Sequence, residues 1–345
     1  MDHNNYMQRA LELAKQGWPA VAPNPMVGCV IVKEGKIISE GYHQKFGGSH
    51  AEVNAIENLP AYISPGDCTM YVTLEPCNHH GKTPPCSDLI IKKGFKHVVI
   101  GSKDPNPLVS GKGIKKLQES GIKVLQGVLE MEEKKLNKHF VTFHEKKRPY
   151  YLLKWAMTAD GFISKCPLPA KREDNLISGK NSQLFVHKLR SENRAIFVGK
   201  NTVLADDPSL TTRLVKGKNP IRILIDRKLG VPLNFKIYNK EASTIVFNDL
   251  KDEEKDHVKY IKLNFDENIL KQISDVLYKL GIQSVLVEGG ALLINDFLKN
   301  NFWDEIVVFQ NPKLYFKEGV KAPDFPLKNS FELVGEDKLF HCFNE

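Results

Sequence analysis

The chain has 345 residues and a formal net charge of +8, with 41% hydrophobic and 26% charged residues. Its length exceeds what one hydrophobic core usually serves, so two domains are expected. The composition is that of an ordinary globular protein, and no segment approaches the roughly 20 apolar residues of a membrane span, which excludes a transmembrane protein. The first residues lack a secretory signal pattern, and six cysteines are too few for a disulfide framework. A cytoplasmic location is therefore expected.

The excess positive charge does not indicate nucleic-acid binding. Lysine and arginine are scattered among aspartate and glutamate along the chain, and no basic stripe interleaved with aromatic residues is evident. A phosphorylated small molecule explains the excess equally well. The expected partner is therefore such a molecule, with neither nucleic acid nor membrane.

Helical and extended patterns alternate in the first part of the chain. Two apolar runs on either side of Glu34-Gly35 predict a hairpin over 27–39. Apolar periodicity predicts the other elements, which are helices over 6–16, 50–58 and 113–120, a further helix beginning near Cys86, and strands over 68–74 and 98–101. This alternation predicts a layered α/β domain.

A charged run over 130–147, followed by Pro149, marks the predicted boundary between domains 1–147 and 148–345. The alternative is one long solvated helix inside a single domain. Beyond the run the alternation restarts, with predicted strands over 151–155, 195–199, 221–225, 243–247, 260–263, 284–287 and 305–310, and predicted helices over 182–190, 268–280 and 291–300.

The strongest chemical signal is His50-Ala51-Glu52 followed by Pro76-Cys77 and Cys86. One imidazole and two thiolates leave the fourth position of a tetrahedral zinc ion open for water, as in catalytic sites. Zinc acidifies that water, and a carboxylate outside the ligand set can relay its proton, a role for which Glu52 is the candidate. Residues two apart on a helix do not share a face, so His50 and Glu52 must lie at a helix start.

The order H-x-E and then P-C is the signature of nucleobase deaminases. Here the spacer between Cys77 and Cys86 is much longer than the two residues of that signature. Two alternatives therefore stay open, a closed structural zinc site and a pair of buried free cysteines beside a solvated histidine. Cys86 is expected at a helix N-terminus, where the helix dipole favours a thiolate.

Longer motifs resemble the bifunctional deaminase/reductase of riboflavin biosynthesis over nearly the whole chain. In the first half these are Pro23-Asn24-Pro25-Met26-Val27-Gly28, Gly41-Tyr42-His43, His50-Ala51-Glu52 and the stretch 73–86. In the second half they are 154–161, 202–211 and Val287-Glu288-Gly289-Gly290. The resemblance implies a cytidine-deaminase-like three-layer α/β/α domain followed by a dihydrofolate-reductase-like α/β domain, in a protein that forms homo-oligomers.

For the first domain the resemblance implies hydrolytic deamination of 2,5-diamino-6-(5-phosphoribosylamino)pyrimidin-4-one. It places Zn²⁺ on His50, Cys77 and Cys86, with Glu52 as the proton donor. The residues that it implies for substrate contact are Asn24, His43, His79 and Lys82.

For the second domain the resemblance implies reduction of the ribosyl group to ribityl by NADPH. Predicted strand 284–287 runs into Glu288-Gly289-Gly290 and a helix, and such a turn exposes backbone N–H groups to a phosphate. Taken alone, a glycine turn of this kind is more often only a turn. The resemblance implies cofactor contacts from Ala156, Thr202, Asp206, Gly290, Ala291, Leu292, Leu293, Ile294, Asn295 and Asp296, and substrate contacts from Arg190, Leu210, Arg213 and Glu288.

One segment departs from the family. Where relatives commonly have Ser-x-Trp-Ile-Thr, this chain has Asp174-Asn175-Leu176-Ile177-Ser178, which removes an aromatic ring expected beside the cofactor.

Two other function classes also stay open, a nucleic-acid-editing deaminase with an accessory binding domain and a non-catalytic zinc-stabilised binding protein. The first predicts a basic groove with stacking aromatics, and in the second Glu52 is dispensable.

Overall fold

A computed structural model describes residues 2–78, 84–107, 109–167, 172–327 and 330–344. The chain divides into two compact units, Met1–Lys147 and Arg148–Glu345. In the described part of the chain, no helix is both long and apolar enough to cross a bilayer.

The first unit is built on a mixed sheet. Its helices are α1 (His3–Lys15), α2 (Ala51–Glu57), α3 (Cys86–Lys93), α4 (Lys112–Glu119), α5 (Glu130–Leu136) and α6 (Lys138–Lys146). Its strands are β1 (Gly28–Lys33), β2 (Lys36–Tyr42), β3 (Thr69–Leu74), β4 (His97–Ser102) and β5 (Lys123–Gln126), in the sheet order β2-β1-β3-β4-β5. Strand β1 is antiparallel to both neighbours, whereas β3, β4 and β5 run parallel.

Helices cover both faces of this sheet. On one face α1 packs Met7, Ala10 and Leu13 against β1 and β3, and on the other α2, α3 and α4 pack against the same strands. Because both faces are covered, β1 and β3 are nearly continuous apolar runs, as buried strands are. The three-layer α/β/α prediction is confirmed. The predicted hairpin is also confirmed, with Glu34 and Gly35 both at positive φ in its turn.

The second unit contains a larger, mostly parallel sheet. Its helices are α7 (Lys180–Glu192), α8 (Lys200–Asp206), α9 (Ile269–Lys279) and α10 (Ala291–Lys299). Its strands are β6 (Tyr150–Thr158), β7 (Phe162–Ser164), β8 (Ala195–Gly199), β9 (Ile221–Ile225), β10 (Thr244–Asn248), β11 (Glu253–Lys255), β12 (Val258–Lys262), β13 (Ser284–Val287), β14 (Glu305–Asn311), β15 (Val320–Lys321), β16 (Glu332–Val334) and β17 (Asp337–Phe343). Among the described residues the main sheet has the order β11-β12-β10-β9-β8-β13-β6-β14-β17-β16.

The parallel strands β12, β10, β9, β8, β13, β6 and β14 form the centre of this sheet. Helices α9 and α10 pack on one face, and α7 and α8 pack on the other. The carboxyl ends of β6, β13 and β8 therefore lie side by side, because neighbouring parallel strands end at one edge. This arrangement confirms the predicted α/β class of the second half.

The structure decides one open alternative and contains elements that the sequence analysis did not predict. The alternative of one long solvated helix over 130–147 is not observed, because the run breaks at Asn137 between α5 and α6 and buries Glu133 and Asn137. The chain also ends in β17, which pairs antiparallel with β14 and was not predicted.

Candidate active sites

Three potential zinc ligands converge in the first unit. His50 is the N-cap residue of α2, Cys77 follows β3, and Cys86 is the first residue of α3. His50 Nδ1 lies 3.6 Å from Cys77 Sγ and 3.3 Å from Cys86 Sγ. Among the described residues, these three side chains form a group whose ligand atoms all lie within 4.8 Å of one another.

This geometry fits a zinc ion. Bond lengths of about 2.0–2.1 Å to nitrogen and about 2.3 Å to sulfur in a tetrahedron put the ligand atoms roughly 3.5–3.8 Å apart. The thiolate character also fits, since a hydrogen bond from Cys86 and the neighbouring His50 lower the pKa of Cys77 to about 4. The backbone N–H of Cys86 donates to Cys77 Sγ at 3.3 Å, which further stabilises the anion.

Glu52 lies beside the three ligands but is not a member of the group. His50 has extended backbone angles (φ −71°, ψ 163°), and Glu52 is in the first turn of α2, so the two residues meet at the helix start as the sequence argument required. Glu52 is only 3% exposed. Burial raises the pKa of Glu52 to about 7, with His50 opposing the shift. Such a carboxyl group can both accept and release a proton near neutral pH.

Two predicted substrate residues of this unit lie next to the metal ligands. Asn24 Nδ2 is 3.2 Å from His43 Nε2, and the rings of His43 and His50 meet edge to face at 5.5 Å. The other ring nitrogen of His43 lies 2.9 Å from Ser49 O, and burial lowers the pKa of His43. The remaining two predictions, His79 and Lys82, lie outside the described residues.

In the second unit, Arg190 and Glu288 form a buried ion pair. Arg190 Nε donates to Glu288 Oε1 at 2.9 Å, and Nη2 donates to Oε2 at 2.7 Å. Burial by itself raises the pKa of Glu288, but the charges of Arg190 and Lys154 outweigh it and lower the pKa to about 2. Glu288 is therefore an anion fixed directly after β13.

The segment containing Leu210 and Arg213 adjoins this pair. Arg190 Nη1 donates to Thr211 O at 3.4 Å, and Arg213 Nη1 donates to Thr211 Oγ1 at 3.2 Å. Leu210 has a positive φ of 53° and is buried in the core on the α7 side of the sheet. The structure thus brings Arg190, Arg213 and Glu288 into one neighbourhood, with Leu210 packed behind them.

The predicted cofactor residues lie at the carboxyl ends of neighbouring strands. Gly290 is the N-cap of α10, and its N–H donates to Thr202 Oγ1 of α8 at 2.8 Å. A Cβ atom on Gly289 would come within 2.6 Å of the Leu293 side chain, so a larger residue here would require that leucine to shift. The first backbone N–H groups of α10 have no partner within the helix, and a helix N-terminus of this kind suits a phosphate such as those of NADPH.

The other residues predicted to contact the cofactor differ in their exposure to solvent. Ala156 lies in β6, Asp206 ends α8, and Ala291 begins α10. Leu292 is 73% exposed, whereas the side chains of Leu293 and Ile294 are buried in the core. The N–H of Ile294 donates to Gly290 O, and Asn295 Oδ1 accepts from Asp324 N. Contact of these residues and Asp296 with NADPH stays a prediction.

Comparisons with known proteins agree with both halves. The family model "Cytidine and deoxycytidylate deaminase zinc-binding region" matches residues 1–102, and "RibD C-terminal domain" matches 149–319. A "Riboflavin biosynthesis protein RibD" of Aquifex aeolicus is 45% identical, with 96% of each chain covered. The chain belongs to the RibD family.

Solved RibD structures match the whole chain. A diaminohydroxyphosphoribosylaminopyrimidine deaminase/5-amino-6-(5-phosphoribosylamino)uracil reductase from Thermotoga maritima is 41% identical with a TM-score of 0.85, covering 98% of this chain and 97% of that one. RibD of Acinetobacter baumannii is 32% identical with a TM-score of 0.86, covering 99% and 98%. These matches do not favour the nucleic-acid-editing alternative or the non-catalytic zinc protein.

Glu75 was not predicted as a functional residue, although it directly precedes Pro76-Cys77. Its Oε1 accepts from the N–H groups of Gly113 and Ile114, at 2.9 and 3.2 Å, and its Oε2 accepts from Gly111 N at 2.8 Å. The carboxylate therefore ties the start of α4 to the strand end that carries a zinc ligand. An acidic residue between a buried strand and the Pro-Cys pair was the available signal.

Lys154, within the motif 154–161, was likewise not predicted as a functional residue. It is on β6, and burial lowers its pKa while the nearby Glu288 opposes the shift. A lysine inside an apolar strand pattern was the signal, since buried lysines require a partner.

Two residues of the atypical segment 174–178 make contacts that stabilise the fold. Asn175 Oδ1 accepts from Lys165 N at 2.9 Å, and Ile177 is buried. Leu176, where relatives commonly have tryptophan, is 54% exposed.

Proposed function

We propose that the chain carries out two consecutive reactions of riboflavin biosynthesis. The first unit hydrolyses the 2-amino group from 2,5-diamino-6-(5-phosphoribosylamino)pyrimidin-4-one, and the second reduces the ribosyl group of the deaminated product to ribityl with NADPH. The single observation that carries this proposal is the convergence of His50, Cys77 and Cys86 with the buried, non-ligating Glu52. Membership of the RibD family supports both steps.

In the deaminase step, His50, Cys77 and Cys86 would hold Zn²⁺. When bound, zinc supplies Lewis acidity that makes a water molecule nucleophilic. The Glu52 carboxylate accepts a proton from the water that attacks C2 of the pyrimidine, and it returns this proton to the departing amino group, which leaves as ammonia. Asn24 and His43 bind and orient the ring, and His79 and Lys82 are proposed further substrate contacts.

In the reductase step, NADPH supplies the hydride when bound. The N-terminus of α10, from Gly290, binds a cofactor phosphate, and Thr202 fixes the position of Gly290 by its hydrogen bond. Arg213 suits the substrate phosphate because a guanidinium pairs with phosphate through two bonds. Glu288 fixes Arg190 beside this position, and Lys154 adds a positive charge nearby.

The test is to incubate the purified chain with the diamino-pyrimidine phosphate, with and without NADPH. Ammonia release without NADPH, and NADPH oxidation only after deamination, are expected. Glu52→Gln is expected to lose about 10²–10⁴-fold in the rate of ammonia release. Glu57→Gln, an exposed change on the same helix, is the matched control. Absence of ammonia release by the zinc-loaded wild type would contradict the proposal.

We also propose a cytoplasmic, homo-oligomeric enzyme. All six cysteines are free, which suits a reducing compartment. Light scattering tests the assembly, and a solution mass of 39.0 kDa, that of one chain, would contradict it.

A further inference from the structure

The carboxamide of Asn137 clamps the backbone of Met26. Its Oδ1 accepts from Met26 N at 2.8 Å, and its Nδ2 donates to Met26 O at 2.9 Å. The two residues are 111 positions apart. Asn137 is only 4% exposed and sits at the joint between α5 and α6. This paired contact fixes both backbone polar groups of one loop residue, as a strand partner would.

Glu133 fixes the orientation of this carboxamide. Asn137 Nδ2 donates its second hydrogen to Glu133 Oε1 at 2.7 Å, and Ser102 Oγ donates to Glu133 Oε2. With two acceptors facing Nδ2 and one N–H facing Oδ1, only one orientation of the amide satisfies every group. Glu133 is 1% exposed, and burial raises its pKa to about 7. The network is buried and complete.

The clamped loop leads directly into the deaminase site. Met26 is two residues from Asn24, whose side chain contacts His43, and Val27 O accepts from His43 N at 2.9 Å. The ring of His43 in turn packs against the zinc-ligand candidate His50. The loop between α1 and β1 is thus held at the His43 end by the site itself and at Met26 by Asn137.

We propose that Asn137 is a positioning residue for the deaminase, holding the loop that presents Asn24 to the amino-pyrimidine phosphate, and that Glu133 keeps Asn137 in its working orientation. This inference rests on the proposed deaminase function. It makes the charged segment α5–α6 part of the substrate site, although the deaminase family model ends at residue 102.

The test measures ammonia release without NADPH over a range of diamino-pyrimidine phosphate concentrations, using full-length protein. Asn137→Ala is expected to raise KM about tenfold or more, because a loosened loop misplaces a binding group. Zinc content and NADPH oxidation with the deaminated substrate are expected to stay at wild-type levels. Asn58→Ala is the matched control, since it removes a side-chain hydrogen bond to Glu40 O elsewhere in the unit.

Glu133 supplies a second, independent comparison. Glu133→Gln keeps an oxygen for Asn137 and an amide for Ser102, so its KM should stay near the wild-type value, whereas Glu133→Ala should raise KM as Asn137→Ala does. If Asn137→Ala loses zinc, the comparison of KM between Glu133→Gln and Glu133→Ala tests the positioning role instead.

A wild-type KM in zinc-replete Asn137→Ala, an equal rise in Asn58→Ala, or equal KM values for Glu133→Gln and Glu133→Ala would overturn the positioning role alone. A wild-type protein that releases no ammonia would instead overturn the proposed function.

Discussion

Arg190 and Glu288 lie 98 residues apart in the sequence, yet they meet in a two-bond ion pair with distances of 2.9 and 2.7 Å. Helix α7 supplies the arginine, and the turn after β13 supplies the carboxylate. Both side chains are largely buried, so each charge is compensated by the other rather than by water. The pair links the predicted substrate side of the second unit to the turn that precedes the predicted cofactor helix.

Glu288→Gln should therefore weaken the reductase selectively. The neutral side chain leaves Arg190 and the nearby, half-buried Lys154 without their counter-charge, and a loss of about 3–4 kcal/mol in transition-state stabilisation, or roughly 10²–10³-fold in kcat/KM, is expected. NADPH oxidation with the deaminated substrate measures the effect. Ammonia release should be unchanged, and the exposed Glu254→Gln is the control. Equal losses in both activities would indicate general misfolding instead.

His187 should make the second unit sensitive to acid. Burial and the charges of Arg190 and Arg213 lower the pKa of His187 from 6.5 to about 4. Between these values the unfolded chain binds the proton and the folded chain does not, so the free energy of unfolding falls as pH drops through this window and the contribution is complete above pH 6.5.

Urea denaturation followed by the fluorescence of Trp155 and Trp303 measures this free energy. Wild type should lose more stability between pH 7 and pH 5 than His187→Gln, in which an amide oxygen can still accept from Arg213 N. Parallel pH curves for the two proteins would show that His187 is not responsible.

Gly113 is expected to be intolerant of a side chain. A Cβ atom there would lie 2.0 Å from Pro76 O, and Pro76 directly precedes the zinc-ligand candidate Cys77. Gly113→Ala should destabilise the first unit by about 1–3 kcal/mol and lower its zinc affinity. Competition with a chromogenic chelator measures the affinity. Gly66→Ala, whose nearest backbone contact would be 3.3 Å, is the control and should bind zinc normally.

The sequence predicted those helices and strands whose apolar residues follow one clear pattern, either helical periodicity or a short continuous run. Strands such as β8 and β13 are short apolar runs because helices cover both sheet faces, and their predicted bounds are confirmed. Strand β17 mixes charged and apolar residues and lies between β14 and β16, so its composition did not reveal it as a strand. Helix α8 is too short for its periodicity to be distinctive.

The candidate sites were predictable where chemistry restricts residue type. His50, Glu52, Cys77 and Cys86 were identified because few other functions use that order of ligands and carboxylate. Glu75, Lys154 and Asn137 were not, because their importance comes from partners that only the folded chain brings close. Asn137 and Glu133 lie in a run whose charges favoured a solvated segment, and the burial of two of its polar side chains has no signature in composition.

The most direct test of the account is a zinc titration of ammonia release by metal-stripped protein. Release should be absent without metal and should reach its maximum at about one equivalent of zinc per chain, as one catalytic site requires. Full ammonia release by protein that has been stripped of zinc would contradict the central claim that His50, Cys77 and Cys86 hold the ion on which deamination depends.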